Sequence, residues 1–158
     1  MRIRTMNIAG MLLPRSKVAF LYDDFTLRQV LEKMRYHGYT TIPVITRENR
    51  YCGTVSEGDL LWYFMDVGQI DFVKCQEVRL RDVIRLKQDP PIPINMSVKE
   101  AMELLVNHSF LPVVDDRDSF VGILTRNAIL KKLAASGAFE DRMSNNSRGV
   151  PVASAQNT

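Results

Sequence analysis

Ser56 and Asp59, in "GTVSEGDLL", place a hydroxyl and a carboxylate three residues apart, where strand-like residues give way to an apolar run. Ser-x-x-acid at such a junction marks a helix N-terminus: the hydroxyl accepts from a free backbone N–H, and the acid suits the positive end of the helix dipole. A cap of this kind contributes about 1 kcal/mol. The same helix end can hold a ligand, because free N–H groups and a hydroxyl suit a phosphate and a carboxylate suits sugar hydroxyls. Taken alone, the residues fit either use. "GILTRNAIL" supplies a second hydroxyl at Thr125 and a cation at Arg126, which reads as a phosphate partner or as a solvated residue at a helix start. Lys17, taken alone, reads as a surface cation. His37 and His108 end two patterned stretches, where the negative end of a helix dipole favours a basic side chain without catalysis. No nucleophile, base and orienting group occur together, and no residues have metal-ligand spacing, so the sequence argues against an enzyme and requires no metal. Cys52 and Cys75 lack CxxC or CxxH spacing and read as reduced thiols.

The elements that must position these residues occur twice. "YTTIPVITRENRYCGTVSEGDLLWYF" aligns with "HSFLPVVDDRDSFVGILTRNAILKKL", so that Pro43 meets Pro112 and Gly53 meets Gly122, both at an offset of 69. Upstream, Thr26 precedes Leu27, Val30, Leu31 and Met34, and Ser97 precedes Val98, Ala101, Met102 and Leu105. Each is a helical i, i+3, i+4, i+7 stripe behind a cap, with Gln29 or Glu100 completing a capping box. Each unit reads as a short lead-in helix (6–13; 80–86), a strand (18–22; 91–95), the striped helix, two strands (41–46 and 51–55; 111–115 and 120–124) and a final helix. The polar links "RENR" and "DRDS" make the last two strands hairpins, and strand, helix, strand predicts a parallel crossover. The predicted fold class is therefore α/β (α+β): two small three-stranded mixed sheets with flanking helices, packed as one pseudo-symmetric module. Residues 1–66 form repeat 1, 67–79 a linker, 80–135 repeat 2, and 136–158 a polar, loose tail. About sixty residues make a marginal core, so the repeats should depend on each other.

The chain's 158 residues amount to about one domain, and its net charge of +3 is spread along the sequence, a poor basis for nucleic-acid binding. No apolar run reaches the ~18 residues of a membrane span, and the N-terminal stretch is too short in apolar residues for a signal peptide. A cytoplasmic location is the expectation. Trp62, Tyr63 and Phe64 are expected in core or dimer packing.

With both repeats in view, the chain resembles a tandem cystathionine β-synthase (CBS) domain pair, or Bateman module. The likeness rests on "GTVSEGD", on the apolar-Pro-Val strands "TIPVI" and "FLPVV", and on the paired order of the units. It implies a regulatory, non-catalytic module that binds an adenine nucleotide between its repeats and signals to a partner protein of unknown identity. "KVAFL", "GYTTIP" and "LTR" together also resemble single-module bacterial proteins that bind cyclic di-AMP. The resemblance implies two clefts. The first takes Lys17, Val18, Ala19, Phe20, Tyr39, Thr40, Thr41, Ile42 and Pro43 from repeat 1, with Thr125, Arg126 and Asn127 from repeat 2. The second takes Pro91, Ile92, Phe110, Leu111 and Pro112, with Ser56 and Asp59. Ala128 stands where the family pattern has its ribose-binding Asp. The first cleft then suits a phosphate-rich ligand such as AMP, ADP, ATP or cyclic di-AMP; the second suits a nucleoside or nothing. The alternative is a ligand-free interaction module on the same scaffold. CBS pairs commonly associate through their helices, and Leu61, Phe64, Met65, Leu130 and Leu133 predict a homodimer.

Overall fold

The structure is a computed structural model that describes residues 6–86 and 90–137. The predicted loose tail lies almost wholly outside the described residues. Strand β1 is Leu13–Pro14, β2 Leu21–Tyr22, β3 Thr41–Ile45, β4 Tyr51–Ser56, β5 Ile92–Pro93, β6 Phe110–Val114 and β7 Phe120–Thr125. Helix α1 is Leu27–His37, α2 Glu57–Val67, α3 Leu80–Val83, α4 Val98–Leu105 and α5 Arg126–Ala135. Both crossovers are parallel, β2 beside β3 and β5 beside β6, and both hairpins are antiparallel, β3 with β4 and β6 with β7.

The caps read from the sequence are present. Thr26 with Gln29, Ser56 with Asp59 and Ser97 with Glu100 each close a reciprocal capping box at the start of α1, α2 and α4. The Ser97 hydroxyl and backbone amide both bond the Glu100 carboxylate, which holds its pKa below the ordinary value. Behind these caps most of each predicted stripe is buried, Leu27, Val30 and Met34 on α1 and Val98, Ala101 and Leu105 on α4, whereas Leu31 is only partly buried and Met102 is exposed. Both hairpins turn through a left-handed residue that carries a short polar side chain, Asn49 (φ 66°) and Asp118 (φ 59°), as that conformation favours.

The lead-in segments correct the sequence reading. Residues 6–13 form a 3₁₀ turn at Ile8–Met11 and then β1, and Ile8 and Met11 enter the core of repeat 2 with Val98, Leu124 and Ile129. Cys75, Leu80 and Ile84 enter the core of repeat 1 with Leu27, Val30 and Leu60. The exchange is pseudo-symmetric down to the hydrogen bonds. Val78 accepts from the Leu27 amide at 2.9 Å and Met6 from that of Val98 at 3.0 Å; Leu80 donates to Phe25 at 2.8 Å and Ile8 to Met96 at 3.1 Å. Each lead-in thus caps the striped helix of the opposite repeat. β1 also pairs with β7, Leu13 opposite Ile123 and Pro14 opposite Gly122, so repeat 2 has four strands where three were expected.

At the far end of the sheets the repeats are tied by the Asn49 turn. Asn49 accepts from the Phe120 amide at 2.8 Å and donates through Nδ2 to the Phe120 carbonyl at 3.0 Å. Phe64 is buried in the first core, whereas Trp62 is 61% exposed, so the aromatic run divides between core and surface.

Candidate functional site

Both helices that follow a hairpin start with no intervening residue: β4 ends at Ser56 and α2 begins at Glu57, β7 ends at Thr125 and α5 begins at Arg126. Ser56 and Thr125 keep extended backbone angles while their side chains already cap the helix. Strand register then fixes the neighbours of each junction, because Thr41 pairs with Ser56 and Phe110 with Thr125.

Two cavities result. The larger, of about 460 Å³, lies within the ~300–1,000 Å³ of small-molecule sites. It brings together Val18, Ala19, Tyr39, Thr40, Thr41 and Pro43 with Thr125, Arg126 and Asn127, as predicted for the first cleft. Lys17, Phe20 and Ile42 do not line it. Lys17 ends an exposed 3₁₀ turn beside it, Ile42 is fully buried in the first core, and the Phe20 ring packs edge-on to Tyr22 at 5.5 Å with Arg15 over it at 4.7 Å. Leu13, Gly38, Ser109 and Ile123 line the cavity without having been predicted. Ser109 was available from the repeat, since it aligns with Thr40 at the offset of 69. Leu13 was not, because it arrives only through the lead-in exchange. At the rim, His37 in the last turn of α1 stacks on Tyr39, 5.5 Å between ring centres and 19° between planes.

The second cavity is about 180 Å³, below that size range. Ser56, Asp59, Phe110 and Pro112 line it, joined by Thr54, Asn107, His108 and Ser109. Pro91, Ile92 and Leu111 do not: Ile92 and Leu111 are buried in the second core, and Pro91 is exposed outside the lining. The cavities adjoin, sharing Thr41, Ser109 and Phe110.

The two junctions differ in charge and in what their hydroxyls have left to give. At α2, Asp59 Oδ2 accepts from the Ser56 amide at 2.7 Å and from its hydroxyl at 2.8 Å, while Ser56 Oγ accepts from the Asp59 amide at 3.1 Å. The Ser56 proton is committed. At α5, Thr125 Oγ1 accepts from the Ala128 amide at 3.1 Å, and Ala128 has no carboxylate to take the hydroxyl proton in return. The larger cavity therefore holds a hydroxyl able to donate, a helix N-terminus and a guanidinium, with no acid among its lining residues. Arg126 is not a free surface residue. Nε donates to the Leu105 carbonyl at 2.7 Å and Nη2 to that of Val106 at 3.1 Å, so the side chain caps the end of α4. Removing it would therefore also release the end of α4.

Burial pushes the Cys52 thiol up to about 11, and burial also raises that of Cys75, which disfavours the nucleophilic thiolate at both. Among the described residues no group of three His, Cys, Asp or Glu could hold a metal ion, and no helix is long and apolar enough to cross a membrane.

Two pseudo-symmetric repeats, each a mixed sheet whose hairpin ends at a capped helix, define a paired α/β-repeat fold. The chain belongs to the CBS domain family, which it matches over residues 9–66 and 78–135. It is 26% identical over 127 residues to cyclic di-AMP receptor B of Bacillus subtilis (strain 168), covering 80% of this chain and 86% of that protein. A crystal structure of CbpB in complex with c-di-AMP superposes with a TM-score of 0.77 at 28% identity, covering 88% of this chain and 92% of that one. The Listeria monocytogenes CbpB complex with c-di-AMP gives a TM-score of 0.71 at 26% identity, covering 84% and 98%.

Proposed function

We propose that the chain is a regulatory receptor, not an enzyme, for an adenine nucleotide seated in the larger cavity, with cyclic di-AMP ahead of AMP, ADP and ATP. The observation that carries this reading is the Thr125 junction: a donor hydroxyl, a helix N-terminus and Arg126 converge where Ala128 has removed the acid that would repel a phosphate. Val18, Ala19 and Pro43 supply an apolar wall for a base, and Thr40 and Thr41 supply hydroxyls for sugar or phosphate oxygens. The relatives bearing cyclic di-AMP support the ranking of ligands. Asp59 serves α2 as a cap, and the cavity it lines is too small for a nucleotide as it stands. The receptor works in the cytoplasm and reports occupancy to a protein partner through differential affinity for its two states.

Calorimetric titration of cyclic di-AMP, AMP and adenosine into the wild type, Arg126→Ala and Asp59→Ala tests the assignment. Arg126→Ala should weaken the phosphorylated ligands by about 1.5 to 3 kcal/mol, roughly 10- to 150-fold, with adenosine little changed. A parallel melt separates that loss from the loss of the α4 cap. If Asp59→Ala abolishes binding while Arg126→Ala does not, the smaller cavity is the site. If no nucleotide binds, the chain is an interaction module that has kept the scaffold.

We also infer a homodimer. Leu61 and Met65 on α2 are 54% and 61% exposed and Leu130 on α5 is 55% exposed, so these helices carry apolar side chains that their own sheets leave uncovered. A second copy would cover them. Sedimentation at micromolar protein should give a dimer, with or without nucleotide; a monomer in both conditions refutes it.

A further inference from the structure

We propose that Arg126 is a coupling residue: it holds the carboxyl end of α4 with one edge of its guanidinium and receives the ligand's anionic oxygens on the other, so that cavity occupancy tightens the α4–α5 groove. The inference rests on the receptor reading above and adds a route by which binding leaves the site. α1 and α2 both end at a left-handed glycine, Gly38 (φ 66°) and Gly68 (φ 80°), and need no help from elsewhere. α4 has no such glycine. Its C-cap is Val106 in right-handed geometry, its last turn carries no basic residue, and the carbonyls of Leu105 and Val106 are met by Arg126 from the start of α5.

The arrangement exists in one repeat only. At the offset of 69 the counterpart of Arg126 is Glu57, whose acid cannot donate to a carbonyl. Arg126 also forms a wall common to two spaces. It lines the larger cavity with Thr125 and Asn127, and it lines an apolar groove of about 240 Å³ between α4 and α5 with Met102, Leu105, Val106, Ile129 and Leu130. The bonds to α4 use Nε and Nη2, which leaves Nη1 and the outer edge of the fork without an acceptor among the described residues. Charge-assisted bonds from that edge to a phosphodiester would fix the guanidinium and, through it, the last turn of α4. By reciprocity, whatever orders the groove strengthens the binding of an anionic ligand.

Hydrogen–deuterium exchange on the intact protein, read at residues 105–109, tests this with cyclic di-AMP and adenosine as probes and with calorimetry on the same samples. In the wild type, saturating cyclic di-AMP should slow exchange there several-fold, and saturating adenosine, which lacks phosphate, should not. Arg126→Lys keeps the charge and loses the fork. Without ligand it should raise exchange at 105–109 several-fold while α1 is unchanged, and with saturating cyclic di-AMP the protection should be absent. Binding of cyclic di-AMP without protection in the wild type overturns the coupling and leaves the receptor reading standing, as does protection retained in Arg126→Lys. Unchanged exchange in ligand-free Arg126→Lys overturns the hold on α4 whatever the ligand does. A wild type that does not bind cyclic di-AMP overturns this route together with that choice of ligand.

Discussion

Gly122→Ala should cost about 3 kcal/mol or more, enough to lower the melting temperature by roughly 6 to 12 °C for a chain of this length. Gly122 lies in β7 opposite Pro14 of β1, at φ +156°, and a Cβ built there falls 2.1 Å from the Leu13 carbonyl oxygen and 3.1 Å from the Pro14 Cα. The obstacle is backbone, which cannot swing aside as a side chain can. Either β7 distorts or β1 leaves the sheet. Release of β1 takes Leu13 from the wall of the larger cavity and loosens the adjoining Ile8 and Met11 in the second core, so nucleotide binding should fall along with stability. Gly10→Ala is the control, because no atom lies within 4 Å of its Cβ position; it should move the urea midpoint by no more than ~0.5 kcal/mol equivalent. Comparable midpoints for the two variants would mean that β1 does not pair with β7 in solution.

What the sequence disclosed about this junction, and what it hid, follows from the range of each interaction. "Gly-x-x-Thr" and "Gly-x-x-Ser" at equal spacing in the two repeats were legible, as were the three capping boxes, because each depends on residues within a few positions of one another. The stripes of α1 and α4 were legible for the same reason. The partner of a short apolar segment is not a local property. Ile8 and Met11 are as compatible with one core as with the other, and so are Leu80 and Ile84, so each lead-in reads as part of the repeat it precedes and is found on the opposite one. The extra strand β1, and Leu13 in the cavity wall, follow from that exchange. Arg126 was recognised as a cation beside the phosphate position. Its bonds to Leu105 and Val106 span 21 and 20 residues and could be read only from the folded chain. Ala128 carried more than it first suggested. Its missing carboxylate, noted as the loss of a sugar partner, also leaves the Thr125 hydroxyl as a donor and the cavity lining without an acid.

A chain of residues 1–70 should fail to melt cooperatively and should bind no nucleotide, whereas 1–86 should recover a cooperative transition. The sixteen added residues decide the matter because they carry Cys75, Leu80 and Ile84, all buried in the first core at 3%, 0% and 7% exposure, and because Val78 and Leu80 supply the hydrogen bonds that dock on α1 and Phe25. Without them the shorter chain uncovers one side of Leu27 and Val30, a loss that a core of some sixty residues cannot absorb. The longer chain still ends before β7 and α5, so Thr125 and Arg126 are absent and nucleotide binding should remain lost although the first core is restored. Folding and binding are therefore expected to return at different chain lengths. A cooperative melt for 1–70 would refute the lead-in exchange, and nucleotide binding by 1–86 at the affinity of the full chain would refute a site shared between the repeats.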